Sequence, residues 1–266
     1  MKTRVISAIV MVLLGVPLLI VGGLPFAIFL TIVSMLGLYE LIHLKETKRQ
    51  LPFLLKVFAY LLVMFLTLNN FDSIEFIYNL DYKVLSFVIF AFLVPLIFIN
   101  DKDKYDITDA LFLIGAVMFL GLSFNLLIII RNFNIFYIIY LLLITTMTDS
   151  FALFTGMLIG KNKVAPKISP NKTIEGCIGG GLIGTFIATA FYTTVINPAT
   201  PLVLVIFVTL LLSTAGQMGD LTFSFIKREF GVKDFSNLIP GHGGILDRFD
   251  SLIFVVLMFI LVVGMI

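Results

Sequence analysis

Nine apolar runs follow one another along the 266 residues of this chain, each about as long as the core of a lipid bilayer is thick. An α-helix needs roughly 20 mostly apolar residues to cross that core. The runs are continuously apolar rather than alternating, which favours helices over the strands of a membrane barrel. They lie at residues 5–20, 26–44, 53–68, 84–99, 107–129, 136–159, 178–196, 202–225 and 251–266. The sequence therefore predicts an all-α fold, a polytopic bundle of about nine transmembrane helices.

The composition excludes a soluble globule. Of all residues 60% are hydrophobic and only 13% are charged, which leaves too little polar surface to cover a water-soluble protein of this size. The single cysteine, Cys177, permits no internal disulfide, and the two histidines are too few for a zinc site of the usual spacing. A metal ion bound by this chain would therefore be a hard cation held by carboxylates.

The Lys and Arg residues predict the orientation of the helices. With the N-terminus in the cytoplasm, all of the 18 basic residues except Lys83 and Arg131 fall on the cytoplasmic side of nine spans. The positive-inside rule describes this asymmetry, and one extra or missing helix would destroy it. The first two runs are expected to form an uncleaved helical hairpin. Because the basic residues lie in separate loops, they indicate no nucleic-acid partner.

Acidic residues in or beside the apolar runs need a physical reason, because a carboxylate at the centre of a membrane helix costs about 2.5–3.5 kcal/mol. By contrast, Asp106 and Asp109 at the start of the fifth run are interpreted as first-turn capping residues. Four other acids lack so simple an explanation: Asp149, Glu175, Asp220 and Asp247.

Polar residues recur along one face of the eighth run. Ser213, Gln217, Asp220, Ser224 and Lys227 are separated by steps of four, three, four and three residues, which places them on one side of a helix. Such a stripe either joins helices through polar contacts or leads to a functional site. The second interpretation is favoured because the cytoplasmic end of the stripe runs directly into a segment that is rich in charge and glycine.

That segment, residues 224–250, combines cationic donors with flexible backbone. Its glycines let a ligand approach the main chain, and His242, which lies between two of them, is interpreted as a phosphate donor. Asp247 and Asp250 share a helix face, and with Asp220 they could supply the few carboxylates that Mg²⁺ usually takes. For Asp250 a first-turn helix charge is an equal alternative. The cations are Lys227, Arg228, Lys233 and Arg248.

A second polar cluster joins the sixth and seventh runs on the same predicted side of the membrane. Thr173 is expected to cap the seventh helix, and Glu175 is expected to complement its dipole. Lys172, within SPNKTIEG, is a candidate for the site, whereas the other lysines of the cluster are explained by the positive-inside rule.

Three segments resemble the signature of the phosphatidate cytidylyltransferases, also called CDP-diacylglycerol synthases. The first runs from Ser224 to Asp250 and contains SFIKR, KDFS and IPGHGGILDRFD; the second is SPNKTIEG; the third is DSFALFTGMLIGK. In the third segment Leu153 stands where that family usually has an aromatic residue. The resemblance covers chiefly residues 149–250, while the first five runs are similar only in being hydrophobic.

The resemblance implies an enzyme that transfers cytidylyl from CTP to phosphatidate, giving CDP-diacylglycerol and pyrophosphate, with Mg²⁺ as one or two bound cations. It also implies an integral protein of the bacterial inner membrane whose site faces the cytoplasm. Residues 1–135 would then be N-terminal transmembrane helices, and residues 136–266 the catalytic region. A CTP-dependent lipid kinase of the dolichol type and a cation-coupled transporter remain as alternatives, and the glycine-rich spans are compatible with a homodimer.

The candidate residues follow from the charge pattern and the resemblance together. Asp220 and Asp247 are predicted to bind the metal, and Lys227, Arg248 and His242 complete the catalytic set. The remaining candidates bind substrate or support the groups that do: Asp149, Lys172, Thr173, Glu175, Ser224, Arg228, Lys233, Gly243, Gly244 and Asp250.

Overall fold

The computed structural model describes residues 2–69, 71–72, 82–99, 101 and 103–266, and for residues 2–5 the backbone alone. Lys102, one of the basic residues predicted on the cytoplasmic side, lies outside the described residues. The helices are α1 (Lys2–Val21), α2 (Gly23–Glu46), α3 (Phe53–Leu68), α4 (Tyr82–Leu93), α5 (Pro95–Ile99), α6 (Ile107–Phe133), α7 (Ile135–Ile159), α8 (Ile174–Phe191), α9 (Leu202–Glu229) and α10 (Leu246–Val262).

The number of apolar helical segments agrees with the prediction of about nine. Within the described part of the chain, seven helical segments are long and apolar enough to cross a membrane, and Ile6–Val21 and Phe53–Leu68 are shorter apolar helices. One of the seven, Tyr82–Ile99, consists of α4 and α5, which meet where Pro95 interrupts the helix. The prediction of an all-α membrane protein with about nine spans is confirmed.

Two helices begin about one turn before the apolar run that they contain. α8 begins at Ile174 rather than at residue 178, and α10 begins at Leu246 rather than at residue 251. Hydrophobicity alone places a start too late because polar residues are favourable in a first turn, where free backbone N–H groups accept negative charge. Asp247 and Asp250 therefore lie inside α10 instead of ahead of it.

Three features have no counterpart in the predicted spans. Antiparallel strands β1 (Lys163–Ala165) and β2 (Ser169–Thr173) form a small hairpin between α7 and α8. After α8 the chain continues as a π-helical turn over Tyr192–Ile196, and after α10 as a 3₁₀ turn over Val263–Met265. The hairpin ends at Thr173, directly before the first residue of α8, so it sets where that helix begins.

The chain forms two compact units, of which the first contains Met1–Phe133 and Asp234–Ile245. In its helical part, α6 packs against α2, α3 and α4. A Cβ atom at Gly121 of α6 would lie 2.7 Å from the Cβ of Leu66, so only glycine permits this approach of α6 to α3. Buried polar groups are paired within the same core: Ser34 and Thr67 share a hydrogen bond of 3.1 Å.

Charged residues stabilise the ends of helices in this unit. Arg131 donates to the carbonyl oxygens of Leu19 and Ile20 at 2.9 and 2.6 Å, which satisfies the C-terminus of α1. At the start of α6, the Asp106 carboxylate accepts from the backbone N–H of Asp109 at 3.0 Å, and Asp109 accepts in return from that of Asp106 at 3.2 Å. The predicted capping role of these two acids is confirmed.

The second unit contains Asn134–Lys233 and Leu246–Ile266. Its closest helix pair is α7 and α8, where glycines of α8 meet α7: a Cβ atom at Gly184 would lie 2.4 Å from the Thr148 hydroxyl oxygen, and one at Gly180 would lie 2.4 Å from the Thr148 carbonyl oxygen. These glycines therefore serve the close packing of α8 against α7. Large apolar side chains such as Leu158 and Phe186 are exposed, as expected for contact with lipid.

Candidate active site

The polar stripe of α9 divides into two parts with different partners. In the first part, Ser213 shares a hydrogen bond of 2.8 Å with Thr148 of α7, and Gln217 donates to the carbonyl oxygen of Cys177 in α8 at 3.1 Å. These contacts join three helices through polar groups in the interior. The helix-joining interpretation of the stripe therefore holds for this part.

In the second part the stripe is charged. The Lys172 ammonium of β2 forms an ion pair with the Asp220 carboxylate of α9, and both side chains remain partly exposed, at 22% and 27%. One turn further along α9, the Ser224 hydroxyl donates to Asp220 at 3.3 Å. The hairpin thus delivers the lysine of SPNKTIEG to the acid in the middle of the stripe, which brings two of the predicted site residues together.

A second ion pair lies between α9 and α10. The Lys227 ammonium donates to the Asp247 carboxylate at 2.6 Å, and the two side chains are only 10% and 4% exposed. Asp247 is in the first turn of α10, where negative charge is favourable, and Lys227 is in the last turn of α9, where positive charge is favourable. Both helix ends therefore support the charges of the pair.

Two further carboxylates lie near Asp220. The Asp149 carboxylate of α7 accepts from the Ser251 hydroxyl of α10 at 3.4 Å, and the Asp250 carboxylate accepts from the backbone N–H of Ser251 at 2.7 Å. Asp220 is an electrostatic neighbour of both of these acids. The second unit therefore gathers three acids, from α7, α9 and α10.

Thr173 and Glu175 both act at the start of α8. Thr173 is the N-cap, and its hydroxyl accepts from the backbone N–H of Gly176 at 3.1 Å, as predicted. Glu175 accepts from the backbone N–H of Lys161 at 3.1 Å and from the Asn162 side chain at 2.7 Å. Glu175 thus holds the turn that follows α7, a contact that the sequence did not reveal.

The remaining cations of the second unit differ in their surroundings. Arg228 donates to the carbonyl oxygens of Ile168 and Val232 at 3.2 and 3.0 Å, so its guanidinium joins the hairpin to the end of α9. The side chains of Lys233 and Arg248 are exposed. Arg228 therefore stabilises local structure in addition to any role with phosphate.

His242 lies at a turn in the first unit. Its backbone N–H donates to the carbonyl oxygen of Ile239 at 2.9 Å, and Gly241 has a φ of 79°. Proline followed by a residue with positive φ is typical of a type II turn, which explains the order Pro240-Gly241. A bridge between Ile239 and Gly243 closes the turn, with Gly243 at a φ of 83°.

Glu40 of α2 contacts the loop that contains His242, and the sequence did not single it out as a site residue. It is fully buried, and its carboxylate accepts from the Ser236 hydroxyl and the Ile245 backbone N–H. A Cβ atom at Gly244 would lie 2.4 Å from a Glu40 oxygen, so Gly244 makes room for this carboxylate. An acid inside an apolar run was the signal that could have identified Glu40.

The predicted site residues are therefore divided between the two units. The second unit contains Asp149, Lys172, Asp220, Ser224, Lys227, Asp247 and Asp250, whereas His242, Gly243 and Gly244 belong to the first. The first unit breaks after Phe133, close to the predicted boundary at residue 135, and also includes Asp234–Ile245; the assignment of catalysis to residues 136–266 stays a prediction. In the described ranges, no three His, Cys, Asp or Glu side chains are arranged to bind one metal ion.

Comparison with known proteins agrees with the resemblance seen in the sequence. A phosphatidate cytidylyltransferase of Bacillus subtilis (strain 168) is 37% identical over 259 residues, covering 96% of this chain and 94% of that protein. Proteins of the same name from Staphylococcus haemolyticus (strain JCSC1435) and Staphylococcus aureus (strain COL) are 36% and 37% identical, each covering 96% of both chains. The match to the cytidylyltransferase family extends over residues 2–266, so this chain belongs to that family and is a membrane-embedded nucleotidyltransferase.

Proposed function

We propose that this chain is a phosphatidate cytidylyltransferase. It would transfer the cytidylyl group of CTP to the phosphate of phosphatidate and release pyrophosphate. The observation that carries the proposal is a pair of ion pairs on α9, a helix that is apolar enough to span a membrane. Asp220 of α9 pairs with Lys172, and Lys227 of α9 pairs with Asp247. A lipid whose acyl chains stay in the bilayer while its phosphate reacts requires such charge at the end of an apolar helix.

The acids of the second unit fit a divalent cation. Asp149 and Asp250 are electrostatic neighbours of Asp220, and a bound cation would offset the repulsion among the three carboxylates. Mg²⁺ is usually bound through one or two carboxylates together with water and phosphate oxygens, so a complete cage of protein ligands is not required. We assign one or two Mg²⁺ ions to Asp220 and Asp247.

The reaction places two anions in contact. A phosphatidate oxygen attacks the α-phosphorus of CTP, the bond from that phosphorus to the bridging oxygen of the β-phosphate breaks, and the electron pair leaves with pyrophosphate. A phosphate monoester has a second pKa of about 6, so the nucleophile is already ionised near neutral pH and needs no strong general base. Bound Mg²⁺ would supply charge neutralisation between the two substrates.

Cationic side chains of this chain would bind the phosphates. Lys172 and Lys227 are held by their aspartate partners and so are restrained before substrate arrives, which lowers the entropy cost of binding phosphate. Arg248, Lys233 and His242 offer further donors, and Arg228 keeps the hairpin that carries Lys172 beside α9.

The membrane location follows from the helices, and its finer details are part of the proposal. We assign the protein to the bacterial inner membrane with the site facing the cytoplasm, since the predicted orientation puts nearly all basic residues on that side. Phosphatidate would then reach the site from the bilayer and CTP from the cytosol. We do not extend the proposal to a homodimer, because Gly180 and Gly184 are used in packing α8 against α7.

Pyrophosphate release with each nucleotide tests the proposal. Purified protein in detergent is incubated with phosphatidate and, separately, CTP, ATP, GTP and UTP, with and without Mg²⁺. We expect pyrophosphate with CTP and Mg²⁺ only. Release of CDP instead would indicate a lipid kinase, and cation flux in liposomes without any nucleotide product would indicate a transporter; the family match favours neither.

A further inference from the structure

Glu40 is a fully buried carboxylate of α2 for which the proposed reaction has so far no use. Moving a charge out of water costs several kcal/mol unless hydrogen bonds or opposite charges offset the loss. The groups that donate to Glu40 therefore indicate which part of the molecule this residue stabilises.

Two hydrogen bonds to Glu40 come from the loop segment Asp234–Ile245. The Oε1 atom accepts from the Ser236 hydroxyl at 2.5 Å and from the backbone N–H of Ile245 at 2.7 Å. Ser236 is near the beginning of the segment and Ile245 is its last residue. One carboxylate oxygen thus joins the two ends of the segment.

The neighbouring residues are adapted to this carboxylate. A Cβ atom at Gly244 would lie 2.4 Å from Oε1 and 2.8 Å from Cδ of Glu40, so any other residue would push the acid away. The Ser236 hydroxyl also accepts from the backbone N–H of Leu238 at 3.2 Å, which extends the anchor toward the turn at Ile239–His242.

We propose that Glu40 is a positioning residue for the nucleotidyl transfer: its carboxylate holds both ends of the Asp234–Ile245 segment and thereby fixes the turn that carries His242. The catalytic part of this inference rests on the function proposed above. The structural part, anchoring of the segment by Glu40, does not depend on it. The two parts can be measured separately in the full-length protein.

The structural part is tested by amide hydrogen exchange. In full-length protein in detergent, we expect Glu40→Ala to raise the exchange rate of peptides that cover residues 236–246 at least tenfold, because the Ile245 N–H loses its acceptor. Glu40→Gln keeps an acceptor oxygen and the side-chain size but loses the charge, so the increase should be smaller. Because Gln is isosteric, this variant remains informative if the alanine variant does not fold.

The catalytic part is tested by kinetics with CTP and phosphatidate. We expect kcat to fall about tenfold in Glu40→Gln and about a hundredfold in Glu40→Ala, with unchanged elution from size exclusion. Two variants in the same helix are matched controls. Glu46→Gln makes the same chemical change at an acid that pairs with Lys56, and Ser34→Ala removes a buried hydroxyl that bonds to Thr67. Both should keep kcat and the exchange of residues 236–246 within twofold of wild type.

A double-mutant cycle with Gly244 adds a readout that general destabilisation would not produce. Gly244→Ala alone should lower kcat, because its Cβ displaces the Glu40 carboxylate. In the Glu40→Ala background that clash is gone, so adding Gly244→Ala should cost less than threefold further. Fully multiplicative effects would contradict the proposed contact.

The outcomes separate the two proposals. Wild-type exchange in both Glu40 variants would overturn the anchoring role, and raised exchange with wild-type kcat would overturn the positioning role. If wild-type protein forms no pyrophosphate from CTP and phosphatidate while the exchange of residues 236–246 still depends on Glu40, the proposed function fails and the anchor stands.

Discussion

Lys227 and Asp247 form a buried ion pair at residues that are also proposed to take part in the reaction. The pair is almost entirely removed from water, so each partner needs the other to offset the loss of hydration. Lys172 and Asp220, in contrast, keep about a quarter of their side-chain surface exposed. The first pair is therefore expected to matter more for folding, and the second to exchange more readily with an arriving phosphate.

Removal of one partner of the buried pair should destabilise the protein. We expect Lys227→Met to lower the free energy of unfolding by about 3 kcal/mol, because it leaves the Asp247 carboxylate buried without its cation. Adding Asp247→Asn should recover most of that stability but no activity. Thermal unfolding in detergent and pyrophosphate release measure the two effects. Recovery of turnover in the double variant would contradict a catalytic role for the pair.

Neutral replacement of the assigned metal ligands should abolish activity, and because Asp247→Asn also leaves Lys227 buried without its anion, unfolding temperature is measured beside turnover. We expect Asp220→Asn and Asp247→Asn each to lower kcat at least about a hundredfold, the size of effect seen when one charge-stabilising group is removed from an active site. Asp101→Asn, in an exposed loop where the acid pairs with Lys104, is the matched control and should retain activity. Near-normal turnover in both site variants would remove the metal assignment.

Asp106 makes a pH-dependent contribution outside the membrane spans. A hydrogen bond from the Thr108 hydroxyl, with further bonds from the Asp109 backbone and Arg49, lowers the pKa of Asp106 to about 2. Because the folded pKa lies below the usual value of 3.8, this stabilisation is present above pH 4 and is lost as the pH falls toward 2. Asp106→Ala should cost about 1 kcal/mol near neutral pH.

This loss should shrink on acidification. The difference in unfolding temperature between wild type and Asp106→Ala is expected to decrease between pH 4 and pH 2, as measured by thermal unfolding in detergent. A difference that stays constant across this range would show that the Asp106 charge contributes nothing to the cap.

At the scale of elements, α8 owes its position to small residues. Glycines let α8 approach α7 so closely that backbone and the Thr148 hydroxyl occupy the space where side chains would be. Within lipid the hydrophobic effect does not drive helices together. Close packing through small residues stabilises their association instead. The same α8 begins at the hairpin that carries Lys172, so its packing also fixes a residue of the candidate site.

A methyl group at one of these glycines should therefore be costly. We expect Gly184→Ala to lower the free energy of unfolding by about 1–3 kcal/mol, because its Cβ would lie 2.4 Å from the Thr148 hydroxyl oxygen. Gly115→Ala in α6 is the control: nothing lies within 4 Å of its Cβ position, and alanine favours a helix. Equal unfolding temperatures for the two variants would contradict the packing argument.

Local patterns explain which elements could be predicted. Hydrophobicity locates a span because it is a property of one continuous segment. The polar stripe of α9 was found for the same reason, since a 3.6-residue period is also visible within one segment. An acid inside an apolar run marked Glu40 itself, but its contacts escaped prediction because the donors are 196 and 205 positions away in the chain and no local pattern relates them. The hairpin was missed for a similar reason, since its strands are too short to show a period.

At the scale of the whole molecule, the distribution of charge predicts one orientation in the membrane. In a Cys177→Ser background, a membrane-impermeant maleimide applied to spheroplasts should label Lys83→Cys, which is predicted outside. It should label Lys161→Cys, predicted inside, only after lysis. Both lysines are exposed, so accessibility to the reagent depends on the side of the membrane. The reverse pattern would invert the proposed orientation.

The attachment of Asp234–Ile245 to α2 limits how this protein can be dissected. A fragment of residues 134–266 would carry nearly the whole signature, yet the Ser236 hydroxyl and the Ile245 amide would have lost their acceptor. The N-terminal helices are thus more than a membrane tether. Chimeras of two relatives should stay active only when α2 and this loop come from the same parent, or from parents that share both the acid and the glycine opposite it.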